Sequence, residues 1–391
     1  MVLAILGSAL VALGLLAVAT GILSLEELSA LGARVAPILA FVTAMTVVTE
    51  LCDKAGVFRI IARHLRRWGR GRAWNLWLLV AALATITTIF LSLDTTAVLL
   101  TPVVVRVARH AGLPPLPFAL TTIWLANTAS LLLPISNLTN LLAQHQLGGI
   151  TPVEYAGLMA LPALVAILIP LAFVALVFRR DLAQRFEQAP VERMRRAATP
   201  DQNPRLLGLS AIVLVALLPA LVSGIDVWIP STIAAVILVA AYLLHRPRAL
   251  SFRLIPWSLL LFATGLFLVT SALEQVGLPT LLAGVAGTGN APADLLRLAG
   301  TGLIGSNIAN NLPAYLALEP VADSTQRLLA LLIGVNAGPL ITPWASLATL
   351  LWYHRLTQLG VVVSWRTFIV FGVALAPATV TVSVLALIGV G

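Results

Sequence analysis

The chain has 391 residues, of which 60% are hydrophobic and only 10% are charged, and its mean hydropathy is +1.01. Soluble domains carry about 25% charged residues, so a soluble fold would leave far too much apolar surface in water. The formal charge of +9 does not indicate a nucleic-acid partner, because the arginines cluster in short loops between apolar runs, as in membrane proteins.

Apolar runs recur along the whole sequence, and most are long enough to cross a bilayer. We therefore predict an all-α polytopic membrane protein with about ten spans. The candidate apolar segments are 3–20, 35–52, 74–93, 97–109, 117–148, 153–178, 206–223, 227–244, 256–273, 278–288, 294–319, 327–353 and 366–389. The first is interpreted as a retained span, since it lacks the basic start and small-residue cleavage site of a signal peptide.

Arginine clusters set the predicted orientation, because loops rich in Lys and Arg face the cytoplasm. The clusters lie at 59–72, 179–205 and 246–253. The loops near 21–33, 224–226 and 275–293 are nearly free of basic residues. We therefore expect a protein of the cytoplasmic membrane, with its N-terminus inside and its C-terminus outside.

The two halves of the sequence resemble each other. "NTASLLLPISN" begins at Asn127 and "NAGPLITPWAS" begins at Asn336, and in each a proline follows the asparagine seven positions later. The basic loop 59–72 is predicted inside the cell, whereas its counterpart 275–293, which has no basic residue, is predicted outside. Opposite orientation of matching loops indicates two inverted-topology repeats. We predict a first repeat with the N-terminal span at 1–178, a cytoplasmic linker at 179–205 and a second repeat at 206–391.

Each half also has an upstream polar stretch between short apolar arms: "SLDTTAVLLTP" in the first and "GSNIANNLPAYL" in the second. We call these two stretches and the two proline-containing ones the four polar knots. Proline and glycine predict broken helices and re-entrant hairpins there, and exposed backbone at membrane depth is tolerated only against protein or a water-filled cavity. Transporters bind substrate at such breaks. The alternative is that these side chains bridge helices.

We predict a substrate site lined by polar side chains of all four knots. From the first half these are Asn127, Thr128, Ser130, Ser136, Asn137 and Asn140. From the second half they are Asn307, Asn310, Asn311, Asn336, Thr342 and Ser346.

Asp94 is the acidic residue placed between two apolar arms. Acidic groups inside spans are costly and usually functional, and burial favours the protonated form, so Asp94 is predicted to carry a coupling proton. The alternative is a surface aspartate near the cap of the following helix. Glu50 and Asp53 lie beside Lys54, where salt bridges are expected.

Other residues predict little chemistry. Asp226, Glu274, Asp294 and Glu319 are predicted at the membrane interface. Cys52 is the single cysteine, which excludes an internal disulfide and a multi-thiolate metal site. The histidines lack metal-ligand spacing, so no metal or cofactor is expected. HExxH, GxSxG and Walker A motifs are absent from the sequence, so an enzyme is not predicted.

Four strings resemble the arsenite/antimonite efflux permease (ArsB) family of the ion transporter superfamily. They are "SLDTTAVLLTPVVV", "NTASLLLPISNLTNLL", "GSNIANNLPAYLAL" and "GPLITPWASLATLLW". Dicarboxylate/sodium symporters of this superfamily carry Ser-Asn-Thr signatures at comparable hairpins. This chain has Ser-Asn-Leu-Thr at 136–139 and Ser-Asn-Ile-Ala at 306–309, which argues against such a symporter.

The resemblance implies export of arsenite or antimonite with protons entering in exchange. A sodium/proton antiporter or another small-anion transporter of the superfamily is the alternative, and more carboxylates near the knots would favour the antiporter. A non-transporting membrane subunit is a further alternative. The bilayer, a homodimer and a separate ATPase subunit are the partners considered.

Overall fold

The computed structural model describes residues 2–186 and 203–389. Within these ranges the secondary structure is helical, apart from one isolated β-bridge between Arg72 and Arg185. The all-α prediction is confirmed. The linker arginines Arg193, Arg195 and Arg196 lie outside the described residues.

The first half contains ten α-helices within the described part of the chain, and a π-helix at Thr96–Leu100 connects α5 to α6. They are α1 (Val2–Ala19), α2 (Leu25–Ala55), α3 (Val57–Trp68), α4 (Ala73–Leu91), α5 (Leu93–Thr95), α6 (Thr101–His110), α7 (Pro115–Thr128), α8 (Leu138–Gln146), α9 (Pro152–Val177) and α10 (Arg179–Leu182).

The second half follows the described end of the linker. Its helices are α11 (Pro204–Ala220), α12 (Trp228–His245), α13 (Trp257–Gln275), α14 (Leu278–Ala286), α15 (Pro292–Ile308), α16 (Asn311–Leu318), α17 (Thr325–Ala337), α18 (Leu347–Gln358) and α19 (Trp365–Ile388).

Six of the described helices are long and apolar enough to cross a membrane: α2, α4, α9, α12, α13 and α19. α11 and most of α1 are shorter apolar helices. Most of the remaining described helices flank the two breaks or the two hairpins. The prediction of about ten spans depends on how many of these helices reach across the bilayer, and it stays a prediction.

The order of helices repeats between the halves. The helices α1 to α9 and the helices α12 to α19 follow one order. Two spans and a short helix come first, followed by a third span that breaks and a short arm. A helix ending in a hairpin, a short helix and a long closing span complete the order. The short helix α3 carries four of the arginines of the loop 59–72, whereas its counterpart α14 has none. α10 and α11 lie outside this correspondence.

Corresponding helices of the two halves make corresponding contacts with the other half. α1 packs along α13, and α12 packs along α2. The short helix α8 packs against α16 and α17, while its counterpart α18 packs against α5, the π-helix and α7. The two closing spans α9 and α19 pack on each other. Each broken helix is therefore supported by the short post-hairpin helix of the other half.

The loop predicted near 21–33 is mostly helix. α2 begins at a capping box, in which the Ser24 hydroxyl accepts from the Glu27 amide and the Glu27 carboxylate accepts from the Ser24 amide. These contacts satisfy two of the free amides of the first turn. α2 therefore extends ten residues before the apolar run predicted at 35–52, and its added turns carry Arg34 toward the second half.

Candidate functional site

A cavity of about 510 Å³, the large cavity, lies where the first-half break meets α18. Five parts of the chain line it: α2, the break at 91–99, the hairpin 135–141, the start of α13, and α18. Of the predicted site residues, Asp94, Ser136 and Asn137 line it. The large cavity is therefore lined mainly by the first half, and the start of α13 and α18 contribute from the second.

Ser92 forms the break between α4 and α5. Its backbone has φ 132° and ψ 162°, a region that residues with a side chain rarely occupy. Neighbouring hydroxyls satisfy the interrupted backbone: the Ser92 hydroxyl accepts from the Thr95 amide at 3.2 Å, and the Thr96 hydroxyl donates to the Ser92 carbonyl at 3.1 Å. A π-helix follows the break, a feature frequent at functional sites.

Asp94 lies in the first turn after this break. Its Oδ1 atom is buried and accepts no hydrogen bond from the described residues, although the side chain borders the large cavity. A carboxylate oxygen left without a donor is costly to bury in its charged form. The cavity is the place from which a proton, a cation or a hydroxylated substrate could reach it.

The first hairpin brings Ser136 and Asn137 to the cavity. The Ser136 hydroxyl donates to the Ile89 carbonyl at 2.8 Å, which ties the hairpin to the last turn of α4. Asn137 is the N-cap of α8, and its side-chain oxygen accepts from the Thr139 amide at 3.4 Å. The hairpin and the helix break thus form one hydrogen-bonded unit.

Asn336 joins the two halves. Its side-chain oxygen accepts from the Asn137 amide group and from the Thr139 hydroxyl, both at 2.9 Å, and its own amide group donates to the Asn140 side-chain oxygen at 2.7 Å. Asn140 in turn donates to the Ser130 carbonyl at 2.6 Å. These amides are buried. Asn336 and Asn140 therefore act as interhelical bridges behind the cavity, which is the alternative that the sequence left open.

The remaining first-half candidates bond within their own helix. Asn127 donates to the Ile123 carbonyl at 3.0 Å, Thr128 to the Trp124 carbonyl at 3.0 Å, and Ser130 to the Asn127 carbonyl at 2.6 Å. All three are buried and do not line the large cavity. They stabilise the end of α7, although Asn127 keeps a buried oxygen without a partner among the described residues.

Residues at the second-half break form hydrogen bonds with the hairpin of the same half. The Asn307 amide group donates to the Gly338 carbonyl at 2.9 Å, and its oxygen accepts from the Thr342 backbone amide at 2.9 Å. The Asn310 amide group donates to the Trp344 carbonyl at 2.9 Å, and the Asn311 backbone amide donates to the Ala345 carbonyl. None of these second-half residues is among those that line the large cavity.

Ser346 occupies an intermediate position. It precedes Leu347, which lines the large cavity, and its hydroxyl is buried without a hydrogen-bond partner among the described residues. The second half thus lines the cavity through the start of α13 and through α18, which follows its two knots in the sequence.

Residues on α2 complete the cavity and were not predicted. Thr46, Thr49 and Glu50 line it from a helix that is distant in sequence from every knot. Glu50 was expected to pair with Lys54, but Lys54 Nζ donates to the Ala249 carbonyl at 2.7 Å. The one signal in the sequence was the spacing of these polar residues along a single helix face.

Glu319, which was predicted at the membrane interface, forms an ion pair. It is buried, and its Oε1 accepts from the Arg34 guanidinium and, at 2.9 Å, from the Tyr315 hydroxyl. This ion pair links α2 of the first half to the end of α16 in the second.

The lining of the large cavity limits what it can bind. Two carboxylates, Asp94 and Glu50, share it with hydroxyl and amide groups, and no Lys, Arg or His is among its described lining residues. Neutral donors and acceptors suit a hydroxylated neutral solute or a dehydrated cation. A multiply charged anion would meet two carboxylates and no counter-charge. Among the described residues, no group of three or more His, Cys, Asp or Glu could hold a metal ion.

Comparisons with known proteins agree with this fold. The chain matches the family described as CitMHS, citrate transporter, over residues 1–349. An arsenical pump membrane protein of Escherichia coli is 31% identical over 370 residues, covering 88% of this chain and 84% of the relative. One of Yersinia enterocolitica is 31% identical over 396 residues, covering 95% and 90%. The predicted resemblance is confirmed.

A solved structure supports the architecture alone. The YdaH transporter of Alcanivorax borkumensis, described as having an unusual topology, matches with a TM-score of 0.54 at 15% identity. The match covers 94% of this chain and 89% of that one.

Proposed function

This chain belongs to the transporter family described as CitMHS, citrate transporter, and from that premise we propose that it exports arsenite and antimonite across the cytoplasmic membrane in exchange for protons. The similarity to arsenical pump membrane proteins over most of the chain supports this substrate. The orientation expected from the arginine clusters, with the N-terminus inside and the C-terminus outside, is part of the proposal.

The observation that carries the proposal is the chemistry of the large cavity. Arsenite near neutral pH is mostly an uncharged trihydroxide, and Ser92, Ser136 and Asn137 offer neutral groups to its hydroxyls. Asp94 borders the same space with an unpartnered oxygen. A proton arriving at Asp94 removes a buried charge, so loading of the proton and occupancy by substrate are coupled through one cavity.

Substrate contacts are proposed for Ser136 and Asn137 in this cavity. Asn140 and Asn336 are proposed to hold the hairpin that presents them. Asn127, Thr128, Ser130 and the second-half residues Asn307, Asn310, Asn311 and Thr342 are proposed to preserve the breaks. Ser346 is proposed to approach substrate when α18 moves.

A sodium/proton antiporter is the second candidate, and Glu50 favours it. A second carboxylate near the knots was the feature expected of that function, and Glu50 lines the same cavity as Asp94. Hydroxyls of Thr46, Thr49 and Thr95 add hard oxygen ligands to the lining.

Uptake into everted membrane vesicles separates these functions. The substrates are arsenite, antimonite, sodium and citrate, each with a pH-sensitive dye, at equal levels of protein. We expect pH-linked uptake of arsenite and antimonite. Sodium-linked pH changes without arsenite uptake would support the antiporter, and citrate uptake would overturn both. A host lacking its own arsenite exporter should gain arsenite resistance, with or without a co-expressed ATPase subunit.

A further inference from the structure

A second cavity of about 300 Å³, the small cavity, lies further along α2. It is lined by the α2 residues Arg34, Pro37 and Ile38, by the end of α8, and by the connections 149–152 and 224–228. The sequence predicts the second of these connections, near 224–226, on the face opposite the arginine-rich loops.

The same helix faces line both cavities. On α2, Arg34 and Ile38 border the small cavity, while Phe41, Met45 and Thr49 border the large one. Steps of three and four residues keep these side chains on one face of a helix. The two cavities therefore follow a single stripe along α2.

α8 shows the same continuity. Leu138 and Leu141 line the large cavity, and Leu141, Gln144 and His145 line the small one. Leu141 thus borders both cavities, with only 5% of the residue exposed. α2 and α8 contact each other along this seam.

We propose that the two cavities are the ends of one permeation route along the α2–α8 seam, and that Leu141 is the barrier between them. This inference rests on the proposed transport function and adds to it the path and the closing residue. Ile38 borders the small cavity and Phe41 the large one, so the barrier is apolar on the α2 side as well. An apolar constriction excludes water and ions until it opens.

The fold also provides a way to open the barrier. Pro37 lies inside α2, next to Ile38, and it lacks the backbone N–H that would bond to the Ala33 carbonyl. Helices bend most readily at such a position. Bending of α2 at Pro37 would separate Ile38 and Phe41 from Leu141.

Sided cysteine labelling tests the barrier directly. The background is Cys52→Ser, and the reporter is Thr46→Cys in the large cavity. A membrane-impermeant maleimide is applied to intact cells and to everted vesicles, and the rates are compared. We expect slow labelling of the reporter from the membrane face on the side of the small cavity. The labelling rate from that face should rise at least tenfold when Leu141→Ala is added.

Leu142→Ala is the matched control. Leu142 is the neighbouring leucine, fully buried and outside both cavity linings, so its truncation should leave the slow rate unchanged. Leu141→Val, a milder truncation, should give a smaller increase and serves if the alanine variant does not accumulate. An unchanged slow rate in both Leu141 variants, or an equal increase with Leu142→Ala, would overturn the proposal. Labelling requires no substrate, so failure of arsenite transport would leave this result readable.

Discussion

Ser92 and Asn310 share the same rare backbone conformation, with φ and ψ of 132° and 162° at Ser92 and 140° and 160° at Asn310. Each is the residue at which a span of its half breaks, and each accepts a hydrogen bond from a backbone amide of the short helix that follows. The two residues occupy matching places in the helix order of the halves. They also locate the breaks on which the site depends.

Substitutions at Asn310 should separate backbone strain from side-chain contacts. Asn310→Ala and Asn310→Gly both remove the amide group, but only alanine keeps a Cβ in this unfavourable region. We expect the glycine variant to be more stable by about 1–2 kcal/mol. Thermal unfolding in detergent measures the difference.

The same pair of variants at Ser324 is the comparison, because this N-cap has an ordinary extended φ of −133°. At Ser324 the glycine variant should exceed the alanine variant in stability by less than it does at Asn310. Equal gains at both positions would mean that the break at Asn310 stores no strain.

Asn336 and Asn127 occupy equivalent positions but should respond differently to truncation. Asn336→Ala leaves three buried side chains, those of Asn137, Thr139 and Asn140, without their hydrogen bond to Asn336. Each buried polar group left unpaired costs about 1–3 kcal/mol. Asn127→Ala removes only one bond, to its own helix.

We therefore expect Asn336→Ala to lower the melting temperature well below that of Asn127→Ala, with loss of folded protein in size-exclusion profiles. Similar losses in the two variants would contradict the role of Asn336 as the link between the halves.

The Arg34–Glu319 pair should show strong coupling. Removing one partner of a fully buried ion pair costs about 3–5 kcal/mol, and less is expected here because 27% of the Arg34 side chain is exposed. Arg34→Ala and Glu319→Ala should each destabilise the protein. The double variant should be more stable than the sum of the single losses predicts, because neither charge is left alone. Additive losses would rule out the coupling.

Close approach of α15 and α17 depends on Gly334. A Cβ at this position would lie 2.2 Å from the Ala299 carbonyl oxygen, so Gly334→Ala must push the two helices apart. Gly300→Ala, one residue from that contact on α15, has open space and should be neutral or stabilising by about 0.5–1 kcal/mol. Melting temperatures that move in the same direction for both would contradict this packing.

Local sequence signals predicted the breaks and hairpins well. Proline, glycine and asparagine between apolar arms mark Asn310 and both hairpins, and the polar run from Ser92 to Thr96 marks the first break. These residue types act through local backbone geometry. The arginine clusters likewise distinguish α3 from α14. Such features require no knowledge of which distant helix packs nearby.

The composition of the cavity could not be predicted in the same way. Glu50 and Thr46 reach the cavity only because α2 packs beside the first hairpin, a contact between segments about ninety residues apart in the sequence. All four knots were predicted to line the substrate site. Instead, α18 faces the first break, since each break packs on the post-hairpin helix of the other half.

Arsenite uptake driven only by a pH gradient, in everted vesicles with an acidic interior, tests most directly whether Asp94 couples protons to export. The unsubstituted protein should accumulate arsenite under this gradient. Asp94→Asn should retain less than about a tenth of that uptake. Glu50→Gln should retain more uptake than Asp94→Asn, because Asp94 carries the coupling proton. Undiminished pH-driven accumulation by Asp94→Asn, in vesicles containing equal amounts of folded protein, would contradict the account.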